Sequence, residues 1–396
     1  MKPSAYITRT PAVVLATALL IFCCTARAQT TQTVANAPSL PREINMLVLG
    51  DSILWGQGLK DENKSWFLVK TWLETRTGLT LHEKIEAHAG AMIGTAGAEV
   101  PTSLILHGEI ASPYPTLHDQ IDDAVRSYVE PSQVDLVLVD GCINDVNARR
   151  FLNAANSPEE IKALAQAKCG AAVEQLLNRI ASSFRNAHIV VSGYYPVMSD
   201  KTPRDFFMRA LAKRFYAPND PNTPKPGSKE MLARLTLISA AWYEASDHAL
   251  AEAVARTSAQ LAASGSRQRV LFARVPFEPT HAFAARDSRL WGFDASFLRK
   301  LLVIISFGRV TLTTNDEVHS QRASLCRDSF KPVPGETDDQ KQRRKESLLV
   351  CRLAAIAHPN RKGAVMYAQA IKEQVEAFLR SPGWLRLAAA SAAGSQ

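Results

Sequence analysis

The chain has 396 residues, of which 46% are hydrophobic and 21% are charged, with a formal net charge of +8 at pH 7. This composition is ordinary for a globular protein and argues against a chain that is disordered throughout. The densest basic run, from Lys341 to Lys345, has no interleaved aromatic residues and suits a solvated helix start. Nucleic acid is therefore not expected as a partner.

Residues 1–28 have the pattern of a secretory signal peptide. Two basic residues precede an apolar run over 11–24, and small residues follow at 26–28. The apolar run is shorter than the roughly 20 residues that a membrane span needs. A retained anchor and a lipid-anchored precursor at Cys23 are the alternatives. We expect a periplasmic or secreted protein without stable membrane insertion after cleavage, a net charge of +5, and a flexible segment over 29–42.

Four cysteines remain after cleavage: Cys142, Cys169, Cys326 and Cys351. In an oxidising compartment an even number of cysteines favours disulfide bonds, and four cysteines allow three connectivities. The pairing that is local in sequence, Cys142–Cys169 and Cys326–Cys351, closes two loops of similar size and is the one we expect. A metal site is the alternative, but no Cys-x-x-Cys pair or His-x-x-x-His spacing supports it.

Along the mature chain, short apolar runs alternate with stretches of helical periodicity. Strands are predicted at 46–49, 84–88, 134–139, 189–191 and 270–272, and helices at 65–74, 159–183 and 231–263. Strands separated by helices imply right-handed crossovers and a parallel sheet covered on both faces. We expect one α/β domain over residues 43–381, with insertions near 198–230 and 276–345 and a flexible tail over 382–396.

Two predicted strands end in polar turns that contain glycine. The first is followed by Gly50-Asp51-Ser52 and the third by Gly141-Cys142-Ile143-Asn144-Asp145. Ligands of parallel sheets bind beyond the carboxyl ends of the strands. A serine there opens the next helix, where free N–H groups can stabilise an oxyanion. The alternative is that Asp51-Ser52 only caps the helix.

Four motifs, taken together, resemble the conserved blocks of the SGNH (GDSL-type) hydrolases. They are Gly50-Asp51-Ser52 with the trailing Trp55-Gly56-Gln57-Gly58, then Ala89-Gly90-Ala91, then Gly141-x-x-Asn144-Asp145, and finally His358-Pro359-Asn360. They occur in the family's order and frame residues from about 43 to 380. Each is weak alone, but four in order are quite specific.

The resemblance implies a three-layer α/β/α sandwich with a central, mostly parallel sheet of the flavodoxin-like kind. It also implies that Ser52 is the nucleophile and His358 the general base. The oxyanion hole would be formed by the backbone N–H groups of Ser52 and Gly90 and the side-chain amide of Asn144. The expected chemistry uses neither a metal nor an organic cofactor, and the expected partner is an ester substrate, either an acyl lipid or an O-acylated sugar.

One position departs from the family pattern. The family places an aspartate three residues before the histidine, and this chain has Ala355 there. The missing acid leaves three interpretations: a non-catalytic binding protein, a Ser–His dyad, or an acid supplied from elsewhere. We favour a dyad in which a backbone carbonyl accepts the imidazole Nδ1–H. Asp328, two residues after Cys326, is the nominated replacement acid, and a solvated turn residue is its alternative.

The sequence therefore predicts an exported carboxylic-ester hydrolase, a serine esterase or lipase that works through an acyl-enzyme on Ser52. An acyltransferase on the same scaffold and a non-catalytic binding protein are the alternatives. Aromatic residues at 242–243 and within 277–293 would either form a cap over the site or pack into the core.

Overall fold

A computed structural model describes residues 43–94, 107–110, 114–205, 208–209, 223–294 and 313–380. The expected signal peptide, the segment 29–42, the tail 382–396 and parts of the two expected insertions lie outside these residues.

Five parallel strands form the central sheet, in the order β2-β1-β3-β4-β5. Their bounds are β1 Glu43–Leu49, β2 Thr80–Ile85, β3 Leu136–Val139, β4 His188–Ser192 and β5 Val270–Ala273. Strands β3 and β4 are buried along their whole length, because parallel strands covered by helices on both faces need apolar residues at every position. The expected parallel α/β sandwich is confirmed.

Helices cover both faces of this sheet. They are α1 Ser52–Trp55, α2 Ser65–Thr77, α3 Leu117–Ser127, α4 Ile143–Val146, α5 Pro158–Cys169, α6 Ala171–Ser183, α7 Lys229–Ala263, α8 His319–Ser329, α9 Asp338–Arg352 and α10 Arg361–Leu379. Helix α2 packs against α10, whereas α6 packs against both α3 and α7. The strand order places β1 and β3 side by side, so the turns that follow both strands meet at one edge of the sheet.

Two elements differ from the sequence-based prediction. Strand β2 is Thr80–Ile85, whereas a strand was expected over 84–88. The residues after it still form hydrogen bonds to β1 and the turn that follows it, since the His88 N–H donates to the Gly50 carbonyl at 3.0 Å. The helix expected over 159–183 is two helices that meet at Gly170. A Cβ at Gly170 would lie 2.6 Å from the Gln166 carbonyl oxygen, so this break requires glycine.

The aromatic residues considered for a cap pack into the core instead. Trp242 of α7 is fully buried and stacks on Phe151, with ring centroids 4.6 Å apart. Phe283, Trp291 and Phe293 are each at most 9% exposed. Within the described part of the chain, no helix is long and apolar enough to cross a membrane.

Candidate active site

The turn after β1 positions Ser52 at the first residue of α1. Asp51 caps this helix, since its Oδ1 accepts the Ile53 N–H at 2.9 Å. Asp140, which follows β3, accepts the Asp51 N–H at 2.7 Å and the Leu54 N–H at 3.0 Å. These bonds fix the backbone N–H groups of Asp51, Ile53 and Leu54 and the Asp51 side chain, on either side of the serine. The Ser52 side chain lies at the bottom of this turn and is only slightly exposed.

Gly50 makes this arrangement sterically possible. Its φ is +142°, and a Cβ built there would lie 2.0 Å from Asp140 Oδ1. No side chain fits at that separation. Gln120 holds the same residue from a third side, because its amide donates to the Gly50 carbonyl at 2.9 Å and its Oε1 accepts the Gly50 N–H at 2.8 Å. The glycine is therefore required for the approach of β3 to the serine turn.

Two carboxyl groups are buried beneath the serine. Burial raises the pKa of Asp51 to about 6, against the opposing hydrogen bonds from Ile53 and Tyr194. Burial and the nearby Asp51 charge raise the pKa of Asp140 well above its usual range. Tyr194 donates its hydroxyl to Asp51 Oδ2 at 2.8 Å and accepts the Ile143 N–H at 3.3 Å. This tyrosine links the turn after β1 to the turn after β3.

The structure brings His358 to Ser52 across 306 residues of sequence. His358 Nε2 lies 2.8 Å from Ser52 Oγ, and His358 Nδ1 lies 3.2 Å from the Ile356 carbonyl oxygen. A carbonyl only accepts hydrogen bonds, so the proton is on Nδ1 and Nε2 is free to accept the serine proton. This is the geometry of a nucleophile paired with a general base.

The loop that carries His358 is held by bonds on both sides. Trp291 N–H donates to the His358 carbonyl at 2.7 Å, and the Ala357 N–H donates to the Trp291 carbonyl at 2.9 Å. Ala357 has a φ of +61°, which is unfavourable for a residue with a Cβ. Tyr195 donates to the Ala357 carbonyl at 2.7 Å. Such a strained position persists only where the surroundings fix it, as these contacts do.

Burial lowers the pKa of His358 to about 4, and the positive charge of Arg322 acts in the same direction. Hydrogen bonding to the Ile356 carbonyl opposes the shift. The imidazole is therefore neutral at pH 7, the form that accepts a proton.

The other two predicted oxyanion donors, Gly90 and Asn144, lie in neighbouring turns. Asn144 Nδ2 donates to the Ala91 carbonyl at 2.9 Å, which holds the asparagine amide against the turn that contains Gly90. That turn is tied to the strand before the serine by the bond from His88 N–H to the Gly50 carbonyl. Among the described residues, neither the Ser52 N–H nor the Gly90 N–H has a protein acceptor, so both remain available to a ligand.

Both expected disulfides are present. Cys142 bonds Cys169 with a Cα–Cα distance of 5.2 Å, and Cys326 bonds Cys351 at 5.9 Å. Cys142 caps α4, the helix that contains Asn144, and has a φ of +113° that is unusual outside glycine. The first bridge thus ties this turn to the end of α5. Among the described residues, no group of three potential metal ligands is clustered.

Asp328 does not reach the histidine. It is exposed on α8 and pairs with Lys331 at 3.2 Å, whereas a carbonyl occupies His358 Nδ1. Cys326 faces inward to its disulfide, and a residue two positions further along a helix points about 200° away from it. Proximity in sequence to the bridge therefore did not bring the carboxylate into the site.

A different acid, Asp316, lies beside the alanine that replaces the family's aspartate. Ala355 is fully buried, and a Cβ at Gly58 would be 2.8 Å from Ala355 Cβ and 3.0 Å from Asp316 Cβ. Asp316 is bound on both oxygens by Arg322, at 2.8 and 2.5 Å. Glu109 accepts from the same guanidinium at 3.2 Å. Because Arg322 uses the Asp316 carboxylate, this acid is a structural partner and not the orienting group of His358.

Sequence reasoning missed Asp140, Tyr194 and the Glu109–Arg322–Asp316 cluster. Asp140 could have been found from its position at the end of β3, directly before Gly141. The other residues lie far apart in sequence, and nothing local signals that they meet.

Several solved structures are similar to this chain. The extracellular lipase of Streptomyces rimosus has 16% identity and a TM-score of 0.36 over 62% of this chain and 87% of the lipase. Phospholipase A1 of Streptomyces albidoflavus NA297 has 13% identity and a TM-score of 0.37, over 64% of this chain and 88% of the phospholipase. The salicylyl-acyltransferase SsfX3 of a tetracycline biosynthetic pathway has 12% identity and a TM-score of 0.31, over 86% of this chain and 56% of the acyltransferase.

No protein-family model matches this chain, and none of the curated proteins matches it either. The likeness to the solved structures is too low to assign a function. Any functional assignment therefore rests on the geometry of the site.

Proposed function

We propose that this chain is a carboxylic-ester hydrolase with a Ser52–His358 dyad. The observation that carries the proposal is the 2.8 Å contact between His358 Nε2 and Ser52 Oγ, with His358 Nδ1 on a backbone carbonyl. A serine hydroxyl is a weak nucleophile at neutral pH, and a neutral imidazole within hydrogen-bond distance is the base that activates it.

In the first half-reaction, Ser52 Oγ bonds to the ester carbonyl carbon while its proton passes to His358 Nε2. The carbonyl oxygen becomes an oxyanion, which accepts from the N–H groups of Ser52 and Gly90 and from the Asn144 amide. The C–O bond to the alcohol then breaks, and His358 returns the proton to the departing alkoxide. An acyl-enzyme on Ser52 remains.

In the second half-reaction, water gives a proton to His358 Nε2 as its oxygen bonds to the acyl carbon. The bond to Ser52 Oγ breaks, and the serine recovers its proton. While His358 is protonated, its Nδ1–H donates to the Ile356 carbonyl, which offers a dipole where the family's aspartate would offer a full charge. We also propose that the chain is exported, since its two disulfides suit an oxidising compartment.

The test is labelling with a fluorophosphonate probe together with hydrolysis of p-nitrophenyl acetate. Wild type is expected to be labelled and active, Ser52→Ala to lose both properties, and Ser324→Ala, which changes an exposed serine on α8, to keep both. Equal hydrolysis by wild type and Ser52→Ala would overturn the nucleophile assignment. Wild type without labelling or hydrolysis would indicate a binding protein.

Adding an acceptor alcohol separates hydrolysis from acyl transfer. A hydrolase releases the free acid in proportion to ester consumed. An acyltransferase instead forms the new ester of the added alcohol, so product analysis distinguishes the two activities on the same acyl-enzyme.

A further inference from the structure

A pocket of about 290 Å³ is lined in part by Trp55, His107 and Glu109. Trp55 forms one wall, three residues after Ser52 on the same helix, so both side chains lie on one face of α1. His107 and Glu109 form another wall. The residue between them, Gly108, accepts the Ala89 N–H at 2.9 Å, which places this wall directly against the turn that contains Gly90. One wall of the pocket is therefore on the helix that Ser52 begins, and another contacts the turn that contains Gly90.

Two buried charged side chains, Glu109 and Lys64, form the floor of the pocket. Glu109 is 2% exposed and accepts from Trp55 Nε1 at 3.1 Å, from the Gly58 N–H at 3.2 Å and from Arg322. Lys64 is also 2% exposed, and its ammonium lies 3.7 Å from the Trp55 ring centroid. With each polar group of Glu109 already bonded, the floor is fixed before a ligand arrives.

Trp55 does not offer an open ring face. Lys64 covers one side of the indole, and Gly108 lies so close that a Cβ there would be 2.7 Å from three ring atoms. The ring of His107 meets it at 90°. A ligand therefore meets an indole edge and the polar groups around it. Leu59 and Val318 provide the aliphatic part of the lining, but they are only 2% and 9% exposed, which leaves little apolar surface for a long acyl chain.

The rest of the polar lining, which includes His107, Lys60, Glu62 and Gln321, carries both hydrogen-bond donors and acceptors. His107 Nδ1 accepts the Glu109 N–H at 3.3 Å, so the ring proton is on Nε2 as a donor. Burial lowers the pKa of His107, which keeps the ring neutral. The side chains of Lys60, Glu62 and Gln321 are exposed, and none of them bonds another described residue. Lys64 pairs with Asp61 at 2.9 Å, and the lining as a whole holds two lysines and three carboxylates.

From this arrangement we infer that the pocket is a subsite for a neutral, hydroxyl-rich group, namely the alcohol part of an O-acylated carbohydrate. Hydroxyls both donate and accept, which matches the mixed walls, whereas a fatty chain would leave those polar groups without partners. The volume of about 290 Å³ is just below the ~300–1,000 Å³ range of ligand pockets, which suits one small ring. This inference rests on the proposed function, because it requires an ester bound at Ser52.

The experiment compares two acetate esters that share the acyl group and differ in the alcohol. 6-O-acetylglucose carries the hydroxyls, and cyclohexylmethyl acetate has a ring without them. Gln321→Ala and Lys60→Ala each remove one exposed side chain from the pocket wall. Each is expected to lower kcat/KM for the sugar ester by roughly threefold to tenfold, the effect of one lost hydrogen bond, and to leave the cyclohexyl ester unchanged.

Ser324→Ala is the matched control, since it changes an exposed residue of α8 outside the pocket wall. Wild type is expected to prefer the sugar ester over both cyclohexylmethyl acetate and p-nitrophenyl palmitate. Equal rates on the two acetates, a preference for palmitate, or equal losses on both acetates in the variants would overturn the subsite. If wild type does not hydrolyse p-nitrophenyl acetate at all, the proposed function is overturned instead, so the two failures are distinct.

Discussion

Gly50→Ala tests whether the approach of Asp140 to the serine turn controls the site. The added Cβ would lie 2.0 Å from Asp140 Oδ1, about 1 Å closer than real Cβ contacts occur, so the turn and β3 must separate by about that distance. A positive φ costs roughly 1–2 kcal/mol for a residue with a Cβ. Overpacking adds about 1–3 kcal/mol. The free energy of unfolding is therefore expected to fall by about 2–5 kcal/mol.

Activity is expected to fall as well, because a 1 Å displacement of a catalytic group costs on the order of 10²-fold in rate. Gly78→Ala is the matched control: its φ is +70°, but nothing lies within 4 Å of the added Cβ. Its free energy of unfolding is expected to fall only by the roughly 1–2 kcal/mol that a positive φ costs, and its activity is expected to stay unchanged. Urea unfolding and p-nitrophenyl acetate hydrolysis measure both quantities. Equal stability losses in the two variants, with activity retained in Gly50→Ala, would refute the reasoning.

Four other results are expected. The pKa of His358 is lowered to about 4, so the imidazole stays neutral until the pH falls to about that value. The rate constant kcat/KM is therefore expected to fall on the acidic side near pH 4, and a fall near pH 6.5 would contradict the assignment. Asn144→Ala is expected to reduce kcat by about 10²–10³-fold, and a change confined to KM would exclude an oxyanion role. Asp328→Asn is expected to retain wild-type activity, because the carboxylate is exposed on α8; a large loss would restore it as the orienting acid. Replacing Cys142 and Cys169 together by serine is expected to cost about 2–5 kcal/mol of stability and to lower kcat, whereas unchanged kcat would show that the bridge does not hold the oxyanion turn.

Local sequence patterns were sufficient to predict the strands whose burial on both faces requires apolar residues at every position. The apolar runs predicted four of the five strands within a few residues, because parallel strands covered on both faces cannot alternate with polar residues. The edge strand β2 was shifted, since it pairs on one side only and its pattern Thr-Leu-His-Glu-Lys-Ile is mixed. Gly170 divided one predicted helix because its backbone conformation there excludes a side chain.

The residues at the sheet edge followed the same rule. Ser52 and Asn144 were identifiable because each follows a buried strand, and parallel strands end at one edge. The pairing of cysteines near in sequence also required no knowledge of the fold beyond an oxidising compartment.

Only the tertiary structure decided which groups surround the histidine. The replacement acid was placed by its separation from Cys326, but the direction of a side chain on α8 depends on the rotation of that helix against its neighbours. The Ile356 carbonyl and the strained Ala357 directly precede His358, but the groups that hold their loop, Tyr195 and Trp291, and the Glu109–Arg322–Asp316 cluster come from segments far apart in the chain. The sequence by itself therefore determined the sheet and the serine turn, and it pointed to the histidine that the structure places against Ser52 Oγ. The electrostatic surroundings of that base depend on long-range packing, which no local pattern encodes.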